Sequence, residues 1–354
     1  MFGADQLLRL NFAAFDKAWM LNYAYSLLRE SKTLTEWKKD ILYFIIDYLS
    51  ASDEIKATTS GSTGTPKTVG LKKKHVKNSA LKTVEFFQLQ RGDNVLLALP
   101  VRYIAGKLMI VRALEARLNL YAVPPAMVPA FDQPEVAFAA FTPSQVAALK
   151  ETDKGTGLLR SVRKMIVGGE AIAPQLEAWM RSHPTEIWHT YGMTETITHV
   201  ALRKVNGPEA SSRFVPLPGV KVLLHDDGTL IIDAPHVGVR FLKTNDMAEV
   251  FPDGSFTVLG RKDHVVISGG VKLFPEQIER KLSDVIGRPF FLTGQQDDKW
   301  GQRLVLVIEG EPEVPDETLC SLIGRYVSKF EVPKAIIYKK KLEKTASGKL
   351  LRTV

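Results

Sequence analysis

Four short segments carry side chains suited to nucleotide chemistry. The first, Thr58 to Lys67, reads TTSGSTGTPK and crowds hydroxyls, two glycines and a lysine into ten residues. Glycine lets backbone N–H groups approach an anion closely, hydroxyls add donors, and lysine adds a point charge. The composition is that of a phosphate-gripping loop. A Walker-type loop of a phosphotransferase is the rival reading. It fails on spacing, because Pro66 stands where that loop needs glycine before the lysine. A flexible Ser/Thr/Gly linker is the bland reading, and a linker has no use for the Pro66-Lys67 ending.

The second segment, His189 to Glu195, reads HTYGMTE and follows an apolar run. A glycine turn at the carboxyl end of a parallel strand is where open α/β sheets take ligands. In such a turn Tyr191 offers a flat face to a purine, Thr194 a hydroxyl to a phosphate, and Glu195 a hard oxygen to Mg²⁺. Taken alone it is equally a core turn. Gly168-Gly169-Glu170, after the preceding strand, marks a second wall of the same crevice. The third segment joins Asp246 to Gly260-Arg261-Lys262-Asp263 across a Pro252-Asp253-Gly254 turn. Antiparallel pairing would bring carboxylate and guanidinium to one end, where they suit ribose hydroxyls. Spacing alone favours a surface ion pair worth about 0–1 kcal/mol. The fourth is the tail, Lys344 to Arg352, where a Ser347-Gly348 turn presents Lys349. By itself it reads as a solvated basic tail.

The elements that must position these segments alternate. Residues 1–50 read as helices. Asn94–Leu99, Leu120–Val123, Val136–Phe141, Lys164–Val167 and Glu186–His189 are short apolar runs. Helical stretches separate them at 107–118, after Thr142-Pro143-Ser144, and at 174–182. That alternation predicts a parallel sheet of βαβ units. After about residue 215, Asp226-Asp227-Gly228 and Pro252-Asp253-Gly254 each interrupt a pair of strand-like runs, predicting two hairpins of a small antiparallel subdomain. A β-ribbon turns at Gly269-Gly270, Pro275 opens a helix over 275–284, and strands follow near 289–293, 304–308 and 335–338. Leu319, Leu322, Ile323, Tyr326, Val327 and Phe330 recur at helical spacing, which predicts an amphipathic helix over 316–330. The expected fold is α/β, with a large N-terminal domain of layered α/β sheets (1–260) and a small α+β domain (261–354).

Length and charge narrow the class. The chain has 354 residues, 47 Lys+Arg against 39 Asp+Glu, and one cysteine, Cys320. That excludes an internal disulfide framework and any cysteine-based zinc site. The N-terminus lacks a basic n-region followed by a clean apolar core, and no apolar run approaches the roughly 20 residues a membrane span needs. The expectation is a cytoplasmic protein with no membrane span, and a net charge of +8 suits anionic partners.

The order TTSGSTGTPK, GGE, YGMTE, Asp246, GRKD…SGG and terminal SGK resembles the acyl-adenylate-forming superfamily of acyl-CoA synthetases, adenylation domains and luciferases. The resemblance covers 57–354. It implies a ligase that activates a carboxylic acid with ATP and Mg²⁺ as acyl-AMP, then transfers the acyl group to coenzyme A, with small molecules and not nucleic acid as partners. Within the superfamily the short chain and HTYGMTET look most like o-succinylbenzoate–CoA ligases of menaquinone biosynthesis. The resemblance implies that Thr59, Ser60, Gly61, Ser62, Thr63, Gly64 and Lys67 grip phosphates. Gly168, Gly169, Glu170, Tyr191 and Gly192 enclose adenine, Thr194 meets the α-phosphate, and Glu195 holds Mg²⁺. Asp246 and Arg261 bind ribose, and Lys349 bridges carboxylate and α-phosphate. The small domain turns at the hinge Asp263, withdrawing Lys349 and delivering Ser268, Gly269 and Gly270 to the thiol site.

Several positions depart from the superfamily pattern. Thr244-Asn245-Asp246 replaces Thr-Gly-Asp, and a left-handed Asn245 would preserve its shape. His264 replaces a second acid, and the 100–106 segment lacks the histidine common among relatives. The first residues are too few for a complete N-terminal subdomain, so a homodimer is one way to cover the exposed sheet. Since o-succinylbenzoate keeps a second carboxylate, Arg102, Lys107 and His199 are candidates to hold it. The remaining alternatives are a ligase for another acyl or aryl acid and a non-catalytic nucleotide-binding relative.

Overall fold

The computed structural model describes residues 6–14, 16–30, 34–58, 68–132, 135–343 and 350–352. Its main sheet has eight strands, in the order Leu8–Asn11, Asn119–Ala122, Asn94–Leu97, Val136–Phe141, Val162–Val167, Glu186–Gly192, His199–Lys204 and Val215–Pro216. The inner strands, from Asn119–Ala122 to Glu186–Gly192, pair in parallel. Both edges turn antiparallel. Val136–Phe141 is buried at every position because both faces of the sheet are covered. Val95 and Leu97 enter one apolar cluster, and Leu96 and Ala98 enter the other. The helix Pro143–Lys150 starts where Thr142-Pro143-Ser144 predicts, with Thr142 and Gln145 capping each other's backbone N–H.

Two local expectations change. The first fifty residues are not all helical: besides Lys17–Glu30 and Glu36–Leu49 they contain the strand Leu8–Asn11. Leu8 and Leu10 are buried while Arg9 and Asn11 are exposed, a period of two that the edge of the sheet rewards. The helix expected over 316–330 is only Asp316–Ile323. Beyond Ile323 the chain tightens, with Arg325 N and Tyr326 N bonding the carbonyls of Leu322 and Ile323 three residues back. Tyr326 and Phe330 are left exposed.

Both predicted hairpins form, within a four-stranded antiparallel sheet of Lys221–Leu224, Thr229–Ala234, Val239–Val250 and Phe256–Arg261. Gly228 and Gly254 turn at φ of 85° and 82°. Beyond Arg261, a five-stranded sheet carries the helix Pro275–Ile286 and has its own apolar core. A separate hairpin pairs Glu54–Thr58 with Thr68–Lys72, so the chain leaves Thr58 and returns at Thr68 directly opposite.

Candidate active site

The strand Glu186–Gly192 ends at the carboxyl edge of the parallel sheet, and His199–Lys204 returns beside it. Only glycine permits that return. A Cβ on Gly192 would sit 2.3 Å from the Thr198 carbonyl oxygen and 2.5 Å from His199 Cα. Between the strands, Thr194–Thr196 form one 3-10 turn. Thr196 Oγ1 accepts from Met193 N at 3.0 Å and donates to the Thr198 carbonyl at 2.7 Å. Ile197 then adopts φ of 67°, a strained value for a β-branched residue, held by its burial and by a bond to the Thr194 carbonyl. This turn presents Thr194 half-exposed and Glu195 exposed, and Glu195 has no partner among the described residues.

Gly168, Gly169 and Glu170 follow the neighbouring strand. A Cβ on Gly168 would fall 1.9 Å from Thr190 Oγ1, so the two segments touch backbone to side chain. His189 secures them. Arg203 Nε donates to its Nδ1 at 3.1 Å, which places the ring proton on Nε2, and Nε2 donates to the Glu170 carbonyl at 3.1 Å. Burial, reinforced by Arg203, pushes His189 down to about 4, so the ring is neutral. Glu177 in turn holds Arg203 through both carboxylate oxygens, at 2.9 and 2.6 Å. Arg203 and Glu177 escape sequence reading because nothing local marks them as a pair.

A third wall comes from the antiparallel sheet. Asp246 and Arg261 are directly opposed in register, with Nη1 3.7 Å from Oδ1. Tyr191 Oη donates to Asp246 Oδ2 at 2.6 Å. Burial, then the Asp246 carboxylate, hold the Tyr191 phenol well above its ordinary value. The Tyr191 ring packs edge-on to Phe256 at 5.1 Å and against Phe214 at 5.8 Å. Its orientation is therefore set by neighbours on two sheets. Arg261 Nε also donates to Asp263 Oδ1 at 3.3 Å. Burial opposes ionisation of Asp263, but Arg261 outweighs it and keeps the carboxyl below its usual range. The left-handed backbone expected at Asn245 is absent. The register instead shifts between Thr229 and Ile231, a bulge that absorbs the extra residues, while Thr244 Oγ1 accepts from Asp246 N.

The remaining candidates are placed less closely. Thr59, Ser60, Gly61, Ser62, Thr63, Gly64, Lys67 and Lys349 lie outside the described residues. Ser268, Gly269 and Gly270 form the turn of the C-terminal ribbon, with the two glycines at φ of 58° and 82°. Among the described residues no hydrogen bond or ion pair joins that ribbon to Tyr191, Thr194 or Asp246. Glu195 suits Mg²⁺, which takes one or two carboxylates and fills its shell from phosphate and water. No cluster of three or more metal-ligating side chains occurs among the described residues.

The three acyl-site candidates do not converge. Arg102 and Lys107 line a cavity of about 240 Å³ with Asp40, Tyr43, Phe44, Asp47 and Val101. Burial lowers the Lys107 ammonium, which lies 4.5 Å from the centre of the Phe44 ring. His199 is on the interior side, 3.3 Å from Thr83 Oγ1, and burial followed by the charge of Arg112 pushes it down to about 3. It is a neutral hydrogen-bonding group there, not a cation. The cation at this place is Arg112, which the sequence reading missed. It is 2% exposed and lies 5.9 Å over the Phe138 ring; its Nη1 donates to Met109 Sδ at 3.3 Å, and its Nε and Nη2 have no hydrogen-bond partner among the described residues. A single charge inside the apolar run LMIVRAL was the available signal.

Comparison with known proteins places the chain in a family. The model of the AMP-binding enzyme family matches residues 57–238. The 2-succinylbenzoate–CoA ligase of Listeria monocytogenes is 26% identical over 325 residues, covering 83% of this chain and 68% of that protein. The acyl-CoA synthetase (AMP-forming)/AMP-acid ligase II-like protein of Dyadobacter fermentans is 31% identical, with a TM-score of 0.66 over 98% of this chain and 97% of its own. The o-succinylbenzoate CoA synthetase (MenE) of Bacillus subtilis, solved with the acyl-adenylate OSB-AMP, has a TM-score of 0.72 at 19% identity, covering 97% of this chain and 81% of its own. With over half its length under the family model and a relative 31% identical across 98% of it, the chain belongs to the AMP-binding enzyme family.

Proposed function

We propose that this protein is an AMP-forming acid–thiol ligase whose acid is 2-succinylbenzoate and whose thiol is coenzyme A, a step of menaquinone biosynthesis. In the first half-reaction a carboxylate oxygen of the acid attacks the α-phosphorus of ATP, an O–P bond forms, and pyrophosphate leaves. In the second, the sulfur of coenzyme A attacks the acyl carbon and AMP leaves. Carboxylates are poor electrophiles, so the gain lies in the leaving group, and the protein has to neutralise phosphate charge and align reactants. Asp246 accepts from ribose hydroxyls while Tyr191 and Arg261 hold it in place. Thr194 donates to the α-phosphate. Lys67 and its loop meet the outer phosphates, and Lys349 bridges the attacking carboxylate and the α-phosphate. Mg²⁺ held at Glu195 supplies further neutralisation of phosphate charge. Asp263 is the hinge about which the domain from residue 261 onward turns, bringing Ser268, Gly269 and Gly270 to the thiol.

One observation carries the choice of acid. A buried guanidinium with two unpaired nitrogens is costly unless an anion completes it. An acid with a second, spectator carboxylate supplies that anion at Arg112, whereas a fatty or plain aryl acid leaves it unpaired. The relatives named for 2-succinylbenzoate support the same choice.

The test is a panel of carboxylic acids with ATP and coenzyme A, followed by product analysis. Pyrophosphate and AMP that appear only with 2-succinylbenzoate support the proposal. Release with monocarboxylic acids of equal efficiency refutes the substrate. ADP instead of AMP would indicate a kinase, and no product a binding module.

A further inference from the structure

One guanidinium backs two walls of the crevice. Arg203, on the strand His199–Lys204, is buried, and all three of its nitrogens are engaged. Nε bonds His189, whose ring bonds the Glu170 carbonyl in turn. Nη1 and Nη2 grip Glu177 on the helix Pro174–Arg181, which the chain enters soon after the Gly168–Glu170 turn. The turn is thus tied twice to one side chain, through His189 at Glu170 and through Glu177 in the helix that follows. Burial opposes ionisation of Glu177, but Arg203 and then Arg181 outweigh it and keep the carboxyl below its usual range. The second wall leans on the same group. Arg203 Nη1 also donates to the Ser211 carbonyl at 3.2 Å, and the guanidinium lies 5.7 Å over the ring of Phe214. Phe214 packs against His189 at 5.2 Å and against Tyr191 at 5.8 Å. A displaced guanidinium therefore moves both the Glu170 carbonyl and the ring that Tyr191 rests on.

Burying such a pair costs desolvation, and apolar replacements of similar size are often as stable or more so. What the pair adds over an apolar contact is direction, because a planar fork holds its partners at fixed angles. We propose that Arg203 and Glu177 are positioning residues of the base subsite, setting the separation between the Gly168–Glu170 turn and Tyr191 without touching the nucleotide. This rests on the reading above that the base of ATP lies between those two walls.

The experiment measures ATP binding to the full-length protein by calorimetry, and its displacement by tripolyphosphate, which carries the charge but no base. Arg203→Lys, His189→Gln, His189→Leu and the double variant Glu177→Leu/Arg203→Met are compared, the last chosen so that the fold survives. Thermal unfolding checks that it does. Carrying the walls off their mark forfeits one base contact, which raises the ATP dissociation constant roughly tenfold. The expected result is that rise in the double variant and in His189→Leu, with tripolyphosphate binding unchanged. Arg203→Lys loses less, since lysine keeps a charge for Glu177 but lacks the fork. His189→Gln keeps most of the affinity, because its neutral amide still donates to the Glu170 carbonyl. Wild-type ATP affinity in the folded double variant overturns the proposal. So does an equal weakening of ATP and tripolyphosphate, or a His189→Gln protein no better than His189→Leu. If Tyr191→Leu itself binds ATP as tightly as wild type, the base lies elsewhere, which is a separate failure of the reading beneath.

Discussion

Replacing Arg112 by methionine separates stability from substrate recognition. Burial alone pushes this guanidinium down to about 9 from an ordinary 12.5. Keeping it charged at pH 7 therefore costs the ligand-free fold on the order of 5 kcal/mol. Methionine fills much of the same space and asks for no hydrogen bond. The ligand-free Arg112→Met protein is expected to gain about 1–4 kcal/mol of unfolding free energy, in line with other buried charges exchanged for apolar side chains. The same change removes a charge-assisted contact to the spectator carboxylate, worth about 3 kcal/mol. KM for 2-succinylbenzoate should then rise roughly a hundredfold, since each 1.4 kcal/mol is about a factor of ten. Urea unfolding without ligand and acid-dependent pyrophosphate release give the two numbers. An aromatic acid with a single carboxylate serves as the control and should change little. A variant that is less stable than wild type and keeps its KM for the diacid would refute the reasoning on both counts.

Two further outcomes follow from the site. Gly192→Ala puts a Cβ 2.3 Å from the Thr198 carbonyl, against backbone that cannot rotate away. The turn bearing Thr194 and Glu195 should shift, costing about 1–3 kcal/mol of stability and at least roughly tenfold in kcat/KM for ATP; adenylation at the wild-type rate would contradict this placement. His189 and His199 are both lowered in the folded state, to about 4 and about 3 from an ordinary 6.5. The unfolded chain therefore binds the extra protons as pH falls below 6.5, and stability drops by about 1.4 kcal/mol per pH unit for each ring. Unfolding at pH 6.5, 5.5 and 4.5 should show His199→Gln with a slope shallower by one proton, and an unchanged slope would mean that the ring is not buried neutral.

Much of the fold was legible because the signals are local. VAFAAF, short, wholly apolar and followed by a helix start, reads as a strand covered on both sides, and Thr142-Pro143-Ser144 announces a helix whose capping box the structure contains. Asp-Gly turns at 227–228 and 253–254 mark hairpins by backbone chemistry alone. The errors came where a partner elsewhere decided the outcome. Leu8–Asn11 is a strand because Asn119–Ala122 offers it an edge, and the α-helix begun at Asp316 stops at Ile323, where the following N–H groups bond three residues back. Asn245 needed no left-handed backbone once a bulge had taken up the extra residues.

The same division runs through the site. Sequence by itself determined which chemical groups are available: the hydroxyl-rich loop, the YGMTE turn, the Asp246 carboxylate and the tail lysine are contiguous, and their spacing is written in the chain. Only the tertiary structure decided which of the described groups share an environment. The Tyr191–Asp246–Arg261 corner exists because two sheets meet there, with Asp246 and Arg261 opposed in register. His199 is neutral, and two nitrogens of Arg112 go without a hydrogen bond among the described residues, because of what surrounds them and not because of residue type. The physical reason is that a side chain's charge, partners and desolvation depend on every atom packed around it, and those atoms come from segments far apart in the chain.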